Sequence, residues 1–121
     1  MRAQAELAKA IAVSRIAWAE AMAALARRAR ESPADAEVIE NIRANLRSDW
    51  PSFATVEVTQ ALVELAGEYA DVFALRGYDS VQLASARTIQ DAADEPLCFA
   101  CFDLRLQKSA AMLGMQTLGK I

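Results

Sequence analysis

Four short runs, AIAVSRI, FATVEV, LCFACF and MQTL, carry β-branched or apolar residues with little interruption, and segments of helical apolar spacing separate them. This alternation constrains the fold more than any other feature of the chain. Strands that read as near-continuous apolar runs are covered on both faces, and strands joined through helices pair in parallel. The expectation is an α/β domain, a parallel sheet with helices on both faces.

The helical segments have recognisable starts and stops. AELAKA reads as the last turns of a helix. Ile16 to Arg30, IAWAEAMAALARRAR, is rich in alanine and ends in a basic turn that suits the helix dipole. Ser32, Pro33 and Asp35 form a stop and restart signal, after which Val38, Ile39, Ile42 and Leu46 mark one face of a second helix. A break at SDWPS precedes FATVEV, and Thr59 through Phe73 carries the spacing of a longer helix that Gly77 is expected to end. A fresh helix is expected from Asp79 or Ser80 through SVQLASARTIQDAA. Asp103 heads DLRLQKSAAML, and Gly114 stands in the usual C-terminal capping position. There is no detectable internal repeat.

With 121 residues, 55% of them apolar, the chain can bury one core and is too short for two ordinary domains, so residues 1–121 read as a single domain. A charged fraction of 24% with only 4 Gly and 3 Pro excludes a disordered chain. Against 16 acidic side chains stand 13 basic ones, a net charge of −3, so any attraction to nucleic acid must come from a local patch. No apolar stretch is long enough to span a membrane, and charges stand where a signal peptide needs an apolar core, so a cytoplasmic protein is expected. Cys98 and Cys101 are spaced like a redox or zinc pair. The run stays strand-like through both sulfurs, and without histidine or further cysteine a zinc site lacks ligands, so both are expected to be buried free thiols.

Three carboxylates stand out. Glu20 lies in IAWAEAMAALA with no basic residue three or four positions away, so it is either a solvated spot on the outer helix face or a carboxylate that needs a cation. Asp79 and Asp103 each begin a helix, and Asp103 directly follows a strand. Either is explained as an N-cap, or as a residue projecting beyond the carboxyl ends of the strands, where α/β sheets bind ligands.

The segment LRGYDSVQLASA resembles the PIN-domain signature, in which a Tyr-Asp pair opens a helix bearing Leu-Ala-Ser-Ala. FACFDLRLQKSAAMLGMQTL is similar to that family's closing strand, acidic helix cap, Arg, helix and final strand, and VSRIAWAEAMAALARRAR to its second strand and a helix with an early metal-binding Glu. The resemblance covers nearly the whole chain and is to the VapC toxin kind of ribonuclease. It implies a PIN-like parallel sheet, RNA as substrate, an antitoxin protein as partner, and Mg2+ or Mn2+ held by Glu20, Asp79 and Asp103. Hard cations suit such an all-carboxylate set.

Gln82 stands where many relatives have His, and Cys101 where many have Thr or Ser. The family's opening strand, ending in Asp-x-Ser or Asp-x-Thr, has no counterpart before AELAKA. That strand lies mid-sheet, between the strands matching AIAVSRI and LCFACF. Its loss exposes unpaired backbone groups at about 1–3 kcal/mol each. Direct pairing of the remaining strands or a second copy would cover them, so a homo-oligomer is expected. Arg76, Arg105 and Lys108 are candidate contacts to RNA phosphates near the acidic site, and Arg27, Arg28 and Arg30 form another basic cluster. The alternatives to a nuclease are a catalytically degenerate PIN-like binding module and a helical scaffold without a site.

Overall fold

The computed structural model describes residues 12–93, 98–100 and 103–118. The chain runs β1 (Ala12–Ser14), α1 (Ala17–Glu31), α2 (Ala36–Asp49), β2 (Ala54–Val56), α3 (Gln60–Phe73), α4 (Gly77–Ala92), β3 (Cys98–Ala100), α5 (Leu104–Met112) and β4 (Gln116–Leu118). Single 3₁₀ turns at Pro33–Asp35 and Trp50–Ser52 bracket α2, each with proline in its first two positions, where a missing N–H costs nothing. The expected order of strands and helices is present. AELAKA and Cys101 lie outside the described residues.

The strands pair in parallel, but not as one sheet. β1 pairs with β2, Ala12 opposite Ala54 and Ser14 opposite Val56, and β3 pairs with β4, Cys98 opposite Gln116. Among the described residues these are two separate two-stranded sheets in a mostly helical molecule. Each strand is three residues long, and Ala12 and Ala54 are exposed. A strand with only one partner is covered less completely than its apolar run suggests. Beyond β1 the ladder continues through Arg15, whose N–H donates to the Val56 carbonyl at 3.0 Å while its Nε reaches Glu57 Oε1 at 2.6 Å.

Helix α4 ties the molecule together. Its Leu83, with no exposed surface, packs in a core with Leu75, Phe99, Leu106, Ala110 and Met115, which serves the β3–α5–β4 half. Its neighbour Ala84, equally buried, packs with Leu62 and Ala66 in a second core that includes Val56 of β2. Adjacent residues on a helix point about 100° apart, so one helix supplies both cores. It also packs against β1. The α1–α2 hairpin stands apart from these cores: α1 buries no residue and α2 buries Ile39 alone. Trp18, Trp50 and Phe53 meet edge to face at its base, with ring centroids 5.2 and 5.9 Å apart.

Two expectations require correction. Helix α3 stops not at Gly77 but at Ala74, which takes the left-handed conformation at φ 55°. Gly77 instead begins α4, two residues before the expected Asp79, because extended Arg76 offers its carbonyl to the Ser80 N–H at 2.9 Å. Cys98 is a free thiol as expected but is exposed, since it alternates with buried Phe99 at the start of β3.

Candidate active site

Helices α1 and α4 both pack against β1, and their first turns carry Glu20 and Asp79. Two residues separate Ser14 from α1, so Glu20 sits in that helix's opening turn, where the dipole favours a carboxylate. Its side chain is exposed, which agrees with the solvated outer-face reading of the sequence. Asp79 occupies the first turn of α4 and is only 21% exposed. Arg76, 86% exposed, lies 3.6 Å from it through Nε, a surface pair of small energetic weight.

Tyr78 joins the two acids. Its ring is half-buried, and that burial pushes the phenol above the ordinary 10.0. A hydrogen bond from the Gln82 side chain draws it partly back, and the charges of Glu20 and Asp79 push it up again. Glu20 and Asp79 thus act on one hydroxyl although 59 positions separate them, a difference of 79 and 20 in the chain. In the sequence Tyr78 stands in the PIN-like Tyr-Asp pair and Gln82 where many relatives have His, and their spacing of four puts them on one helix face.

Asp103 is held separately. It is exposed and caps α5, its Oδ1 accepting the Leu106 N–H at 2.9 Å, so the capping explanation accounts for its place. It is absent from the charges that act on Tyr78. Among the described residues no three His, Cys, Asp or Glu side chains lie in an arrangement that could hold a metal ion. The chain therefore brings Glu20 and Asp79 toward a common residue and leaves Asp103 outside that pair.

The basic candidates flank the acids. Arg105 Nη1 donates to the carbonyl of Ala74 at 3.0 Å, tying the start of α5 to the α3–α4 corner that leads into Asp79. Leu104, Arg105 and Lys108 line an open groove of about 350 Å³. Lys108 is exposed and has no ion-pair partner among the described residues. In the other basic cluster Arg28 is already paired with Asp35 at 2.9 Å, as suits an ordinary helix end. No helix among the described residues is long and apolar enough to cross a membrane.

No family model matches the sequence, and no solved structure matches the fold. Two curated proteins do. Ribonuclease VapC45 of Mycobacterium tuberculosis (strain CDC 1551 / Oshkosh) is 39% identical over 105 residues, spanning 84% of this chain and 68% of that protein. Ribonuclease VapC49 of Mycobacterium tuberculosis (strain ATCC 25618 / H37Rv) matches with the same identity and the same coverage. An identity of that size across so much of both sequences assigns the chain to the VapC ribonuclease family.

Proposed function

We propose that the chain is a metal-dependent endoribonuclease of the PIN/VapC toxin type, hydrolysing RNA phosphodiester bonds, with an antitoxin protein as partner in the cytoplasm. The observation that carries the reading is the 39% identity to the two VapC ribonucleases over 84% of the chain. The convergence of Glu20 and Asp79 on Tyr78 supports it locally.

In this reading Glu20, Asp79 and Asp103 are the ligands of Mg2+ or Mn2+. The donor chemistry suits a hard cation: the acids supply oxygens, and among the described residues the buried Ser14 hydroxyl at the end of β1 has no partner. A bound divalent ion supplies Lewis acidity, which lowers the pKa of a water and offsets charge on the phosphorane. Asp79, held by α4, fixes the inner side of the site, and Glu20 approaches from α1. Arg105 and Lys108 hold backbone phosphates along the groove beside Asp103, and Arg76 adds an exposed positive charge beside Asp79. In this reading the two strand pairs described are parts of one PIN-like sheet, completed by a further strand or by a second copy in a homo-oligomer. Size-exclusion chromatography with light scattering tests the oligomer, and a folded monomer at micromolar concentration refutes it.

RNA cleavage with Mn2+, with excess chelator and in Asp103→Asn tests the enzyme. Cleavage that needs the ion and disappears in the variant is expected. Undiminished cleavage in chelator overturns the mechanism. One observation favours a second reading, a degenerate module that binds RNA or protein without catalysis: no three ligands are gathered among the described residues. A folded protein that takes up no Mn2+ by calorimetry selects that reading.

A further inference from the structure

The outer face of α5 carries two cations between two exposed apolar side chains. Leu104, Lys108 and Met112 follow one another at helical spacing with Arg105 beside them, and Leu104 and Met112 are 64% and 76% exposed. Leu104, Arg105 and Lys108 line the open groove. No acid offsets the two charges. Arg15, Arg28, Arg43, Arg76 and Arg87 each stand within ion-pair distance of a carboxylate, whereas among the described residues Arg105 and Lys108 do not. The acid nearest in sequence, Asp103, turns its Oδ1 to the Leu106 N–H of its own helix.

Arg105 differs from Lys108 in having an anchor. Its Nη1 donates at 3.0 Å to the carbonyl of Ala74, the left-handed residue that ends α3. Carbonyls at a helix C-terminus lack intrahelical donors, so the bond completes the end of α3. That task occupies one N–H of a planar fork and leaves the others for a second acceptor. We infer that Arg105 sets the register of an RNA strand in this groove: Ala74 holds one end of its guanidinium, and the remaining N–H groups bind a backbone phosphate. The inference rests on the RNA substrate proposed above and needs no metal ion. It separates two cations that the sequence does not distinguish. A fork already oriented by the α3–α4 corner loses little freedom on binding, while Lys108 supplies charge without a fixed direction.

The experiment measures binding of a fluorescein-labelled oligoribonucleotide by anisotropy, in excess chelator and across a salt series, with urea midpoints recorded alongside. The parent is compared with Arg105→Lys, Arg105→Gln and Lys108→Gln, all at exposed positions. Arg105→Lys keeps the charge without the fork and is expected to bind about tenfold more weakly, the loss of one hydrogen bond to a charged group. Lys108→Gln and Arg105→Gln are each expected to flatten the slope of log affinity against log salt by about 0.7, the share of one phosphate contact to a single strand. Folded Arg105→Lys with an affinity within about twofold of the parent overturns the inference and leaves the RNA reading standing, even where its urea midpoint falls, because the arginine then serves the helix end alone. Glutamine retains an amide donor for the Ala74 carbonyl, so Arg105→Gln tests the phosphate contact even where the lysine variant fails to fold, and an unchanged slope in it overturns the inference as well. A parent that binds oligoglutamate and not RNA assigns the groove to an acidic peptide and overturns it. Absence of RNA binding by the parent overturns the RNA reading and this inference together.

Discussion

Asp103 caps a helix and, in the proposed function, also binds a cation, and substitutions separate the two. Its Oδ1 accepts the Leu106 N–H at 2.9 Å as the cap of α5, and its carboxylate charge is what the proposed cation site requires. Asn caps a helix about as well as Asp, while Ala removes the acceptor at a cost of about 1 kcal/mol, within a range of about 0.5–2. The charge at an exposed helix N-terminus adds roughly 0.3 kcal/mol, the low end of the dipole effect. Asp103→Asn should therefore lose about 0.3 kcal/mol and Asp103→Ala about 1.3 kcal/mol. Helix α5 has nine residues and sends Leu106 and Ala110 into the core, so a weakened first turn is felt by the whole fold.

At a urea slope of about 1–3 kcal/mol per M, the alanine variant's midpoint falls by about 0.4–1.3 M and the asparagine variant's by about 0.1–0.3 M. Circular dichroism in urea measures both. Thr59→Ala calibrates the cap alone, since Thr59 Oγ1 accepts the Leu62 N–H at 3.1 Å in the same way at the head of α3. It should be destabilised by about 1 kcal/mol and cleave RNA normally once folded. Asp103→Asn should instead fold almost as well as the parent and lose cleavage by at least the 10- to 100-fold, roughly, that an outer partner of a metal ligand is worth. Parental cleavage by Asp103→Asn refutes the assignment of Asp103, and equal stability losses in Asn and Ala refute the capping argument.

Leu83→Ala should cost about 2–5 kcal/mol, a large part of the 5–15 kcal/mol or so that holds a domain of this kind together. A thermal melt reads it, and a loss below about 1 kcal/mol would show that the core is not centred on α4. Ala74→Gly should stabilise the fold by about 1 kcal/mol, because Ala74 holds φ 55°, where a Cβ is penalised and glycine is not. A lower urea midpoint in that variant would refute the strain. Both tyrosines, Tyr69 and Tyr78, are pushed above 10.0, chiefly by burial. Above pH 10.0 the unfolded chain therefore sheds protons that the fold retains, so stability is complete below that pH and falls as pH rises toward the folded values. Tyrosinate absorbance that is half developed at pH 10.0 in the folded protein would contradict this.

The order of elements was legible because periodicity records which face of each segment is apolar, and that is a local property. Ile16 to Arg30 became α1 within one residue at each end, and Asp103 became the cap its position at a strand-to-helix junction suggests. What was not legible depends on neighbours. AIAVSRI and LCFACF look alike as buried strands, yet among the described residues each has one strand beside it, and Ala12 and Cys98 are exposed. Gly77 reads as a stop in sequence, while the backbone placed its left-handed residue at Ala74, where Arg105 donates to the carbonyl from a helix thirty-one positions away. That the buried hydroxyl of Ser14 has no partner among the described residues could not be read at all, since satisfaction of a polar atom is a property of the folded surroundings.

The two acids that act on Tyr78 are held with unequal firmness, and this bears on how a site could assemble. Asp79 belongs to α4, which places Ser80, Leu83, Ala84 and Ser85 in the interior, so its position is fixed by both cores. Glu20 belongs to α1, a helix with no buried residue, anchored through its hairpin partner and the aromatic contacts of Trp18. Elements with few buried contacts open at low free energy, while core helices open only with the whole fold. Glu20 can therefore move relative to Asp79 without disturbing the core. Two carboxylates brought together without a cation repel, so closing them on one another has a cost that a bound cation would offset. A ligand that binds only the closed arrangement must supply the free energy of closing, and its apparent affinity falls by the fraction of closed molecules. The exposure of Glu20 follows from its place on a helix that buries no residue, whereas Asp103 stands outside the pair at the cap of a helix that is anchored in the core.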